Sequence, residues 1–419
     1  MTNRRLYDII FENFKERIAI MKKINLKTIG IYLLRWTALG LLMGVICGGL
    51  GAVFSKAIHA ATALRGEYPW LLYLLPLGGL LTIGLYRLCK VSGMRTMWVM
   101  ESARSEKKVS PLLVPAIFGG TVLTHLFGGS AGKEGAALQL GGGIAAWLSK
   151  IFKLEEQHRR SLVVAGMGAF FAALFGTPLG AVAFVFEVLR IGKRAWNASY
   201  PTIVAVVTSY GAAKLCGAHW EHFSFTVPAI GGKMVLVGLL IIAAAAAAAM
   251  LFCYSLRWGK QLFERWFKNE VVRILFGAGL IILLTHLVGS YDYNGGGMEI
   301  IEKVFQGQVR YEAFALKMLF TVVTAAADFK GGEIVPSMFI GATLGGTIAT
   351  LMGLDIGFGA ALGMIALLSG VTNCPIAIAL IGAELFQGQG IGYLALAAGL
   401  GYLLTHWISL YTYPKKSHQ

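Results

Sequence analysis

The chain has 419 residues, of which 56% are hydrophobic and 14% charged, and its mean hydropathy is +0.67. This composition excludes a large soluble domain and is typical of an integral membrane protein. The formal net charge is +16, but no basic face with stacking aromatic residues accompanies it, so the sequence argues against nucleic-acid binding and we assign the charge to membrane orientation and anionic lipid headgroups.

Long apolar runs predict an all-α polytopic membrane protein. They lie at 29–61, 70–88, 112–127, 145–152, 162–189, 200–216, 235–256, 274–288 and 394–407, the fifth being broken at Gly176-Thr177-Pro178. Only helices and closed barrels span a bilayer, and these runs are too long for barrel strands. Several are half-length, which is tolerated only where irregular backbone is buried in protein or lines a cavity.

Both ends of the chain are basic. Residues 1–28 mix acidic, basic and apolar side chains, which predicts an amphipathic helix lying on the cytoplasmic surface and not a signal peptide. Residues 413–419 form a basic tail. The positive-inside rule therefore predicts a multi-pass protein of the plasma membrane with both termini in the cytoplasm.

The chain is organised around a glycine-rich stretch, residues 128–143, that carries Lys133 and Glu134 between two apolar segments. Its glycines allow sharp turns and a close approach to main-chain N–H groups, and the residues after them predict a helix start. A helix N-terminus favours an anion, and we expect Glu134 to occupy this site until something displaces it. A carboxylate that merely stabilises the first helical turn is the disfavoured alternative, because a buried charge is costly unless it is used.

The second half of the sequence repeats features of the first. Residues 121–124, Thr-Val-Leu-Thr, are echoed by Thr-Val-Val-Thr at 321–324, and the loop with Glu134 is answered by a loop with Glu333. Each half also has a glycine, a proline twelve residues later and a glutamate nine residues after that: Gly166, Pro178 and Glu187, then Gly363, Pro375 and Glu384. We predict two structural repeats, 29–216 and 217–412, with a transport site where broken helices meet between them.

The other charged residues leave alternatives open. Glu333 is either a second acid of the transport path or a carboxylate paired with Lys330 or a helix end, and the rule for intramembrane charges favours the first. Lys133 either attracts anions or pairs with an acid. Glu187 and Glu384 are expected at the membrane interface, and Asp328 is expected to pair locally. Five scattered cysteines indicate neither a disulfide framework nor a metal site.

Three features resemble the CLC family of chloride channels and anion/proton antiporters over about residues 29–412. They are Gly132-Lys133-Glu134-Gly135, then Gly331-Gly332-Glu333-Ile334-Val335-Pro336, and the proline-to-glutamate helix in each half. The resemblance implies a CLC-like fold of two repeats with inverted topology. It implies a homodimer in which each subunit has its own anion path. It also implies that Glu134 is a gating glutamate that blocks the path when charged and carries a proton.

Departures from the family pattern resemble one branch of it, the CLC-F fluoride/proton antiporters. Met94 stands at the position of a family serine, Ala136 replaces a proline, and Val188 replaces an internal glutamate of chloride exchangers. Together with Glu333 in the third motif, Met94 carries this resemblance. The implied anion path contains Met94, Gly132, Lys133, Gly135, Ile334, Val335 and Tyr411, with Glu333 as a second acidic coupling residue and Tyr402 or Tyr413 as alternatives to Tyr411.

The resemblance thus implies a transporter that exports fluoride in exchange for protons, and we expect it to need neither cofactor nor metal. Fluoride is small and strongly hydrated, so its path must offer hydrogen-bond donors, and a protonated Glu134 is one. A passive channel and a chloride/proton exchanger are the nearest alternatives; Val188 favours the first, and Met94 argues against the second. A membrane enzyme using His125, Glu134 or Glu187 is more distant, because no metal spacing, nucleophile with a partner histidine, or nucleotide loop is present.

Overall fold

The computed structural model describes residues 26–190 and 195–411. Within these ranges the chain forms sixteen α-helices and one 3₁₀ segment, Pro69–Leu74. The helices are α1 Leu26–Glu67, α2 Leu75–Leu88, α3 Thr96–Ser102, α4 Leu113–Leu126, α5 Glu134–Ile151, α6 Glu156–Phe175, α7 Pro178–Leu189, α8 Ala195–Leu215, α9 Gly232–Trp266, α10 Glu270–Val288, α11 Met298–Phe305, α12 Ala313–Ala326, α13 Ile334–Met352, α14 Ile356–Thr372, α15 Pro375–Leu385 and α16 Ile391–Thr405. The predicted N-terminal surface helix lies outside the described residues apart from 26–28, and the predicted tail lies wholly outside them.

Five helical segments of the described chain are long and apolar enough to cross a membrane, and six further apolar helices are shorter. The long segments are Gly30–Glu67, Pro69–Leu88, Gly232–Trp266, Glu270–Val288 and Ile334–Met352. At 1.5 Å per residue α1 is about 63 Å long, so it cannot stand upright within a bilayer core of about 30 Å. The predicted fold class, an all-helical membrane protein with broken and half-length helices, is confirmed.

Two short helices, α7 and α15, cap each other. The carboxylate of Glu187, near the end of α7, accepts hydrogen bonds from Ile376 N at 3.2 Å and Ala377 N at 2.6 Å, at the start of α15. In return the carboxylate of Glu384, near the end of α15, accepts from the first N–H groups of α7, Leu179 N at 2.9 Å and Gly180 N at 2.8 Å. Each glutamate therefore satisfies the free amides of the other helix. Their expected placement at the membrane interface stays a prediction.

Glycines let helices cross at backbone contact in both halves. A Cβ on Gly141 of α5 would lie 2.0 Å from the carbonyl oxygen of Gly166 in α6, and one on Gly341 of α13 would lie 2.5 Å from that of Gly363 in α14. The helix predicted to start in the glycine-rich stretch begins at Glu134. Glycines 141–143 are therefore helical and serve close packing, as small residues do between membrane helices.

Replacing Gly141 by alanine is expected to destabilise the protein, because the new methyl group meets backbone atoms that cannot move aside. Overpacking of this kind costs about 1–3 kcal/mol. The measurement is the apparent melting temperature of the purified protein in detergent. Gly49→Ala is the matched control, since a Cβ there meets nothing within 4 Å and alanine favours a helix over glycine. Equal melting temperatures for the two variants would contradict the close crossing.

Candidate functional site

The glycine loops of the two halves pair with each other at one point. Gly132 N donates to Gly332 O at 2.7 Å, and Gly332 N donates to Gly132 O at 2.7 Å, which makes an antiparallel bridge. A Cβ on Gly332 would lie 2.3 Å from Gly135 N, so no side chain fits here. The loops lead directly into α5 and α13. The bridge therefore brings two helix N-termini, which favour anions, to the same place.

Helix α12 of the second half holds the first loop in position. Ser130 N donates to Thr324 Oγ1 at 3.0 Å, and the hydroxyls of Ser130 and Thr321 lie 3.0 Å apart. Both threonines belong to the 321–324 segment that echoes 121–124. Gly295 N also donates to Gly129 O at 2.9 Å. Long-range bonds thus fix the shape of a loop whose glycines alone would leave it free to change.

Lys317, also on α12, holds the segment that carries Gly295. Its side chain is fully buried, and its Nζ donates to Tyr293 O at 3.2 Å and to Gly295 O at 2.6 Å. Its Nζ also lies 5.2 Å from the centre of the Phe339 ring. A buried cation needs such partners, so we assign Lys317 a positioning role behind the glycine loop.

Glu134 is the first residue of α5 and is only 1% exposed. Its carboxylate lies within hydrogen-bonding reach of the main-chain N–H of Val335, at the start of α13. Its Oε2 lies 2.5 Å from the point that a Cβ on Gly132 would take, and it has no hydrogen-bond partner among the described residues. The carboxylate thus fills a position that a small anion would take between the two helix starts, with one oxygen unsatisfied.

A wide cavity of about 940 Å³ reaches down to Glu134. Gly132, Lys133 and Val335 also line it. Lys133 donates from Nζ to Ser55 Oγ at 2.9 Å and interacts electrostatically with Glu134. Its place on the cavity wall suits the attraction of anions, and its interaction with Glu134 suits pairing with an acid. Further charged side chains on the cavity wall are Lys56, Arg65, Glu221, Asp292, Glu299 and Glu302.

Acidic side chains cluster on the wall of the wide cavity. Burial, the neighbouring carboxyl of Glu221 and the charge of Glu299 raise the pKa of Glu302 to about 7. This group lies on the short helix α11, outside the long membrane segments. Like charges held close together disfavour ionisation, so Glu302 is partly protonated near neutral pH.

A second, narrower cavity of about 310 Å³ approaches the bridge from the other side. Glu333, the last residue before α13, lines it, as do Gly331 and Gly332. Lys330 does not pair with Glu333; its Nζ lies 4.7 Å from the centre of the Tyr86 ring. The Gly132–Gly332 bridge therefore forms a partition with Glu134 on the wide side and Glu333 on the narrow side.

Asp328 joins the two halves beside the narrow cavity. Its carboxylate accepts from Arg95 Nη2 at 2.9 Å and from Arg273 Nη2 at 2.7 Å. The expectation of a local partner is therefore wrong, because both arginines are distant in sequence. Arg95 follows Met94 at the first break, so this contact ties that break to the loop before Glu333.

The other residues predicted for the anion path are placed as follows. Tyr411 lines the narrow cavity and is 6% exposed. Gly135 and Ile334 are buried at the two helix starts. Met94 is half-buried and packs against the core; it lines neither cavity, whereas the next residue, Arg95, does. Of the alternatives to Tyr411, Tyr402 lies beside the ring of His406, and Tyr413 falls outside the described residues.

Thr96 and Gln139 were not predicted, yet both line the narrow cavity. Gln139 is 5% exposed and donates from Nε2 to Thr96 Oγ1 at 3.0 Å. The available signal was a lone amide in the apolar, glycine-rich sequence that follows Glu134. A polar side chain in a membrane helix usually faces the protein interior or a cavity.

The enzyme alternative drew its acid and base from His125, Glu134 or Glu187. His125 and Glu134 line the wide cavity, but Glu187 lines neither cavity and caps α15. The ring Nδ1 of His125 lies 2.9 Å from Thr121 O. The three groups therefore do not form one site.

Comparison with known proteins identifies the family. The family model described as Voltage gated chloride channel matches residues 78–406. This chain belongs to that family. The predicted membership of the CLC family is thereby confirmed, and the match covers both glycine loops and both capped half-helices.

Individual CLC relatives match nearly the whole chain. A chloride/fluoride channel protein of Pseudomonas syringae pv. tomato is 32% identical over 399 residues, covering 92% of this chain and 88% of that protein. The H(+)/Cl(-) exchange transporter ClcA of Vibrio cholerae is 25% identical over 399 residues, covering 87% of this chain and 84% of that protein. The family resemblance is thus not confined to the motifs.

Solved CLC structures share the fold. The crystal structure of a CLC-type fluoride/proton antiporter superposes with a TM-score of 0.83 and 32% identity, covering 90% of this chain and 97% of that chain. A slow cyanobacterial Cl-/H+ antiporter superposes with a TM-score of 0.76 at 18% identity, covering 89% of this chain and 94% of that chain. At that identity, the second match supports the fold alone.

Proposed function

We propose that this CLC protein is a secondary active transporter that exports fluoride in exchange for protons. One observation carries the proposal: a partition of two paired glycines separates two cavities, with Glu134 on one side and Glu333 on the other. A carboxyl on each face offers protons a route past the partition beside the route of the anion. The names of the relatives at 32% identity, a chloride/fluoride channel protein and a fluoride/proton antiporter, support fluoride as the anion.

Glu134 performs two tasks in this proposal. Ionised, its carboxylate occupies the amides at the starts of α5 and α13 and blocks the path. When the Glu134 carboxyl is protonated, it loses the charge that binds it to these amides. Fluoride can then take its place on the Gly135 and Val335 side of the partition. The neutral acid is also a hydrogen-bond donor to the anion that replaces it. The proton leaves toward one cavity as the anion leaves toward the other, so the two movements are coupled.

Glu333 supplies the matching acid on the narrow side. It lines the narrow cavity directly beside the partition, and Lys330, the base next to it, lies instead against Tyr86. An ionisable residue inside a membrane protein that faces a cavity is typical of a proton relay. We propose that it passes protons between Glu134 and the narrow cavity, as the second coupling residue.

The two cavities are assigned to opposite membrane faces. Tyr411, close to the C-terminus, lines the narrow cavity, and α1 reaches the wide cavity only with its C-terminal half, from Ala52 to Gly66. The N-terminal half of α1 and Tyr411, at the two ends of the described chain, therefore lie outside the lining of the wide cavity. With basic termini in the cytoplasm, the narrow cavity is cytoplasmic and the wide cavity external, in the plasma membrane.

We also propose a homodimer, and two repeats of 29–216 and 217–412. The reciprocal caps of α7 and α15 support the repeats. The same two helices expose apolar side chains at corresponding positions, Leu179 at 64% and Ile376 at 65%. Such a pair suits an isologous contact between identical subunits as well as it suits lipid. Single-molecule photobleaching of labelled protein in vesicles should give two steps, and a single step would contradict the dimer.

The experiment that tests the function is ion flux in vesicles containing the purified protein. Vesicles are loaded with fluoride or with chloride, and anion release and proton uptake are recorded together while potassium and valinomycin hold the voltage at zero. Fluoride release accompanied by proton uptake at a fixed ratio supports the proposal. Fluoride release without proton uptake would indicate a passive channel, and equal coupled rates for chloride would indicate a general halide exchanger.

A further inference from the structure

A hydrogen-bonded side-chain pair lies in the narrow cavity beside the partition. Gln139 lies on α5 in the second turn after Glu134, and Thr96 is the first residue of α3. Gln139 Nε2 donates to Thr96 Oγ1 at 3.0 Å, and Thr96 Oγ1 lies 3.4 Å from Gly135 O. The pair therefore connects the narrow cavity to the residue that follows the gate.

This pair has hydrogen-bonding capacity to spare. Thr96 Oγ1 accepts from Gln139 and donates its own hydrogen only over a long, weak bond of 3.4 Å to Gly135 O, which an anion could replace. Gln139 has a second amide hydrogen. Buried polar side chains with spare donors are normally satisfied, and here the empty side is a cavity.

The charges around this cavity favour an anion. Arg95, Lys260 and Lys330 line it. Asp328 lines it too, but its carboxylate is bound by Arg95 and Arg273. Glu333 is the remaining acid on the wall and is neutral whenever it holds a proton. A cavity with an excess of basic groups raises the local concentration of anions.

We propose that Thr96 and Gln139 form a fluoride-binding subsite on the narrow side of the partition. The Thr96 hydroxyl and a Gln139 amide hydrogen donate to the anion there and replace part of its hydration shell before it reaches the main-chain amides at Gly135. This inference rests on the proposed fluoride exchange and adds the residues that receive the ion from the cytoplasm. Two neutral donors suit a small hard anion, which is the strongest hydrogen-bond acceptor among the halides.

The test is fluoride binding by calorimetry to the purified protein in detergent. Thr96→Val keeps the shape of the side chain and removes the hydroxyl, and Gln139→Leu removes the amide. Each variant should bind fluoride roughly tenfold more weakly, as expected for one lost hydrogen bond to a charged group. Thr96→Ser restores the hydroxyl and should bind within about twofold of the unmodified protein.

Ser149→Ala is the matched control for damage to α5. Ser149 lies on the same helix, is as buried as Gln139 and lines neither cavity. Unchanged affinity in Thr96→Val and Gln139→Leu would overturn the subsite. Equal weakening in Ser149→Ala would overturn it too, because the loss would then reflect the helix and not the donors. Proton coupling of the unmodified protein in vesicles tests the exchange function separately, so failure of the subsite and failure of the function are distinguishable.

Discussion

Replacing Glu134 by glutamine is expected to reduce fluoride-driven proton uptake to the level of empty vesicles. The amide has nearly the same shape as the acid and still fits between Gly132 and Val335, but it cannot take up or release a proton in this pH range. Fluoride movement that persists should be passive and insensitive to a proton gradient. The measurement is proton uptake by fluoride-loaded vesicles at zero voltage, with anion release recorded in parallel.

Glu106→Gln is the matched control, since Glu106 is an exposed acid that lines neither cavity. It should keep the coupling ratio of the unmodified protein. Normal proton uptake in Glu134→Gln would contradict the proposed role, because the proton would then cross the partition without this carboxyl. Loss of coupling in both variants would point to an effect of charge removal in general.

Replacing Glu333 by glutamine is expected to abolish most proton uptake while leaving fluoride binding within about twofold of that of the unmodified protein. Glu333 is the carboxyl on the narrow side of the Gly132–Gly332 bridge, so its loss leaves Glu134 without an acid to exchange protons with on that side. We expect at least a roughly tenfold fall in the coupled rate, equivalent to about 1.4 kcal/mol in the barrier. Proton uptake is measured as for Glu134, and fluoride affinity by calorimetry.

An aspartate at position 333 provides the conservative comparison. It keeps an acid on the narrow side and should retain part of the proton uptake that glutamine loses. Full coupling in Glu333→Gln would favour the alternative reading of the sequence, in which this carboxylate only stabilises the start of α13. Glu333→Ala has no titratable group at this position, so we expect it to lose proton uptake as Glu333→Gln does.

The main parts of the fold could be predicted from sequence because each rests on a local pattern. The break at Gly176-Thr177-Pro178 separates α6 from α7 as expected, and the start of α5 at Glu134 was expected from the glycines before it. The echo of 121–124 at 321–324 indicated that the halves are related. These patterns also carried the family resemblance, which the family match confirmed.

The rest depends on partners that are distant in the sequence. Glu187 and Glu384 look like ordinary helix-end acids until α7 and α15 are seen side by side. Asp328 has its arginine partners on other helices. No local pattern states which residues will be partners, so sequence analysis assigned these three acids local roles, whereas the fold provides partners that are distant in sequence.

Glycine is the clearest case of one residue type with two uses. Gly132 allows the bridge and the approach of the Glu134 carboxylate, whereas Gly141 allows a helix crossing. Both occur in a single glycine-rich stretch, so composition alone does not tell the two uses apart. Only the contact between Gly141 and the backbone of Gly166 separates packing from turn formation.

The measurement that tests the account most directly is the pH dependence of fluoride affinity, determined by calorimetry in the unmodified protein and in Glu134→Ala. If the Glu134 carboxylate and fluoride compete for the same main-chain amides, fluoride should bind more weakly to the unmodified protein as rising pH ionises that carboxyl. The alanine variant, which has no competing group, should bind fluoride with an affinity that changes much less over the same range. The same pH dependence in both proteins, or none in either, would contradict competition at this site.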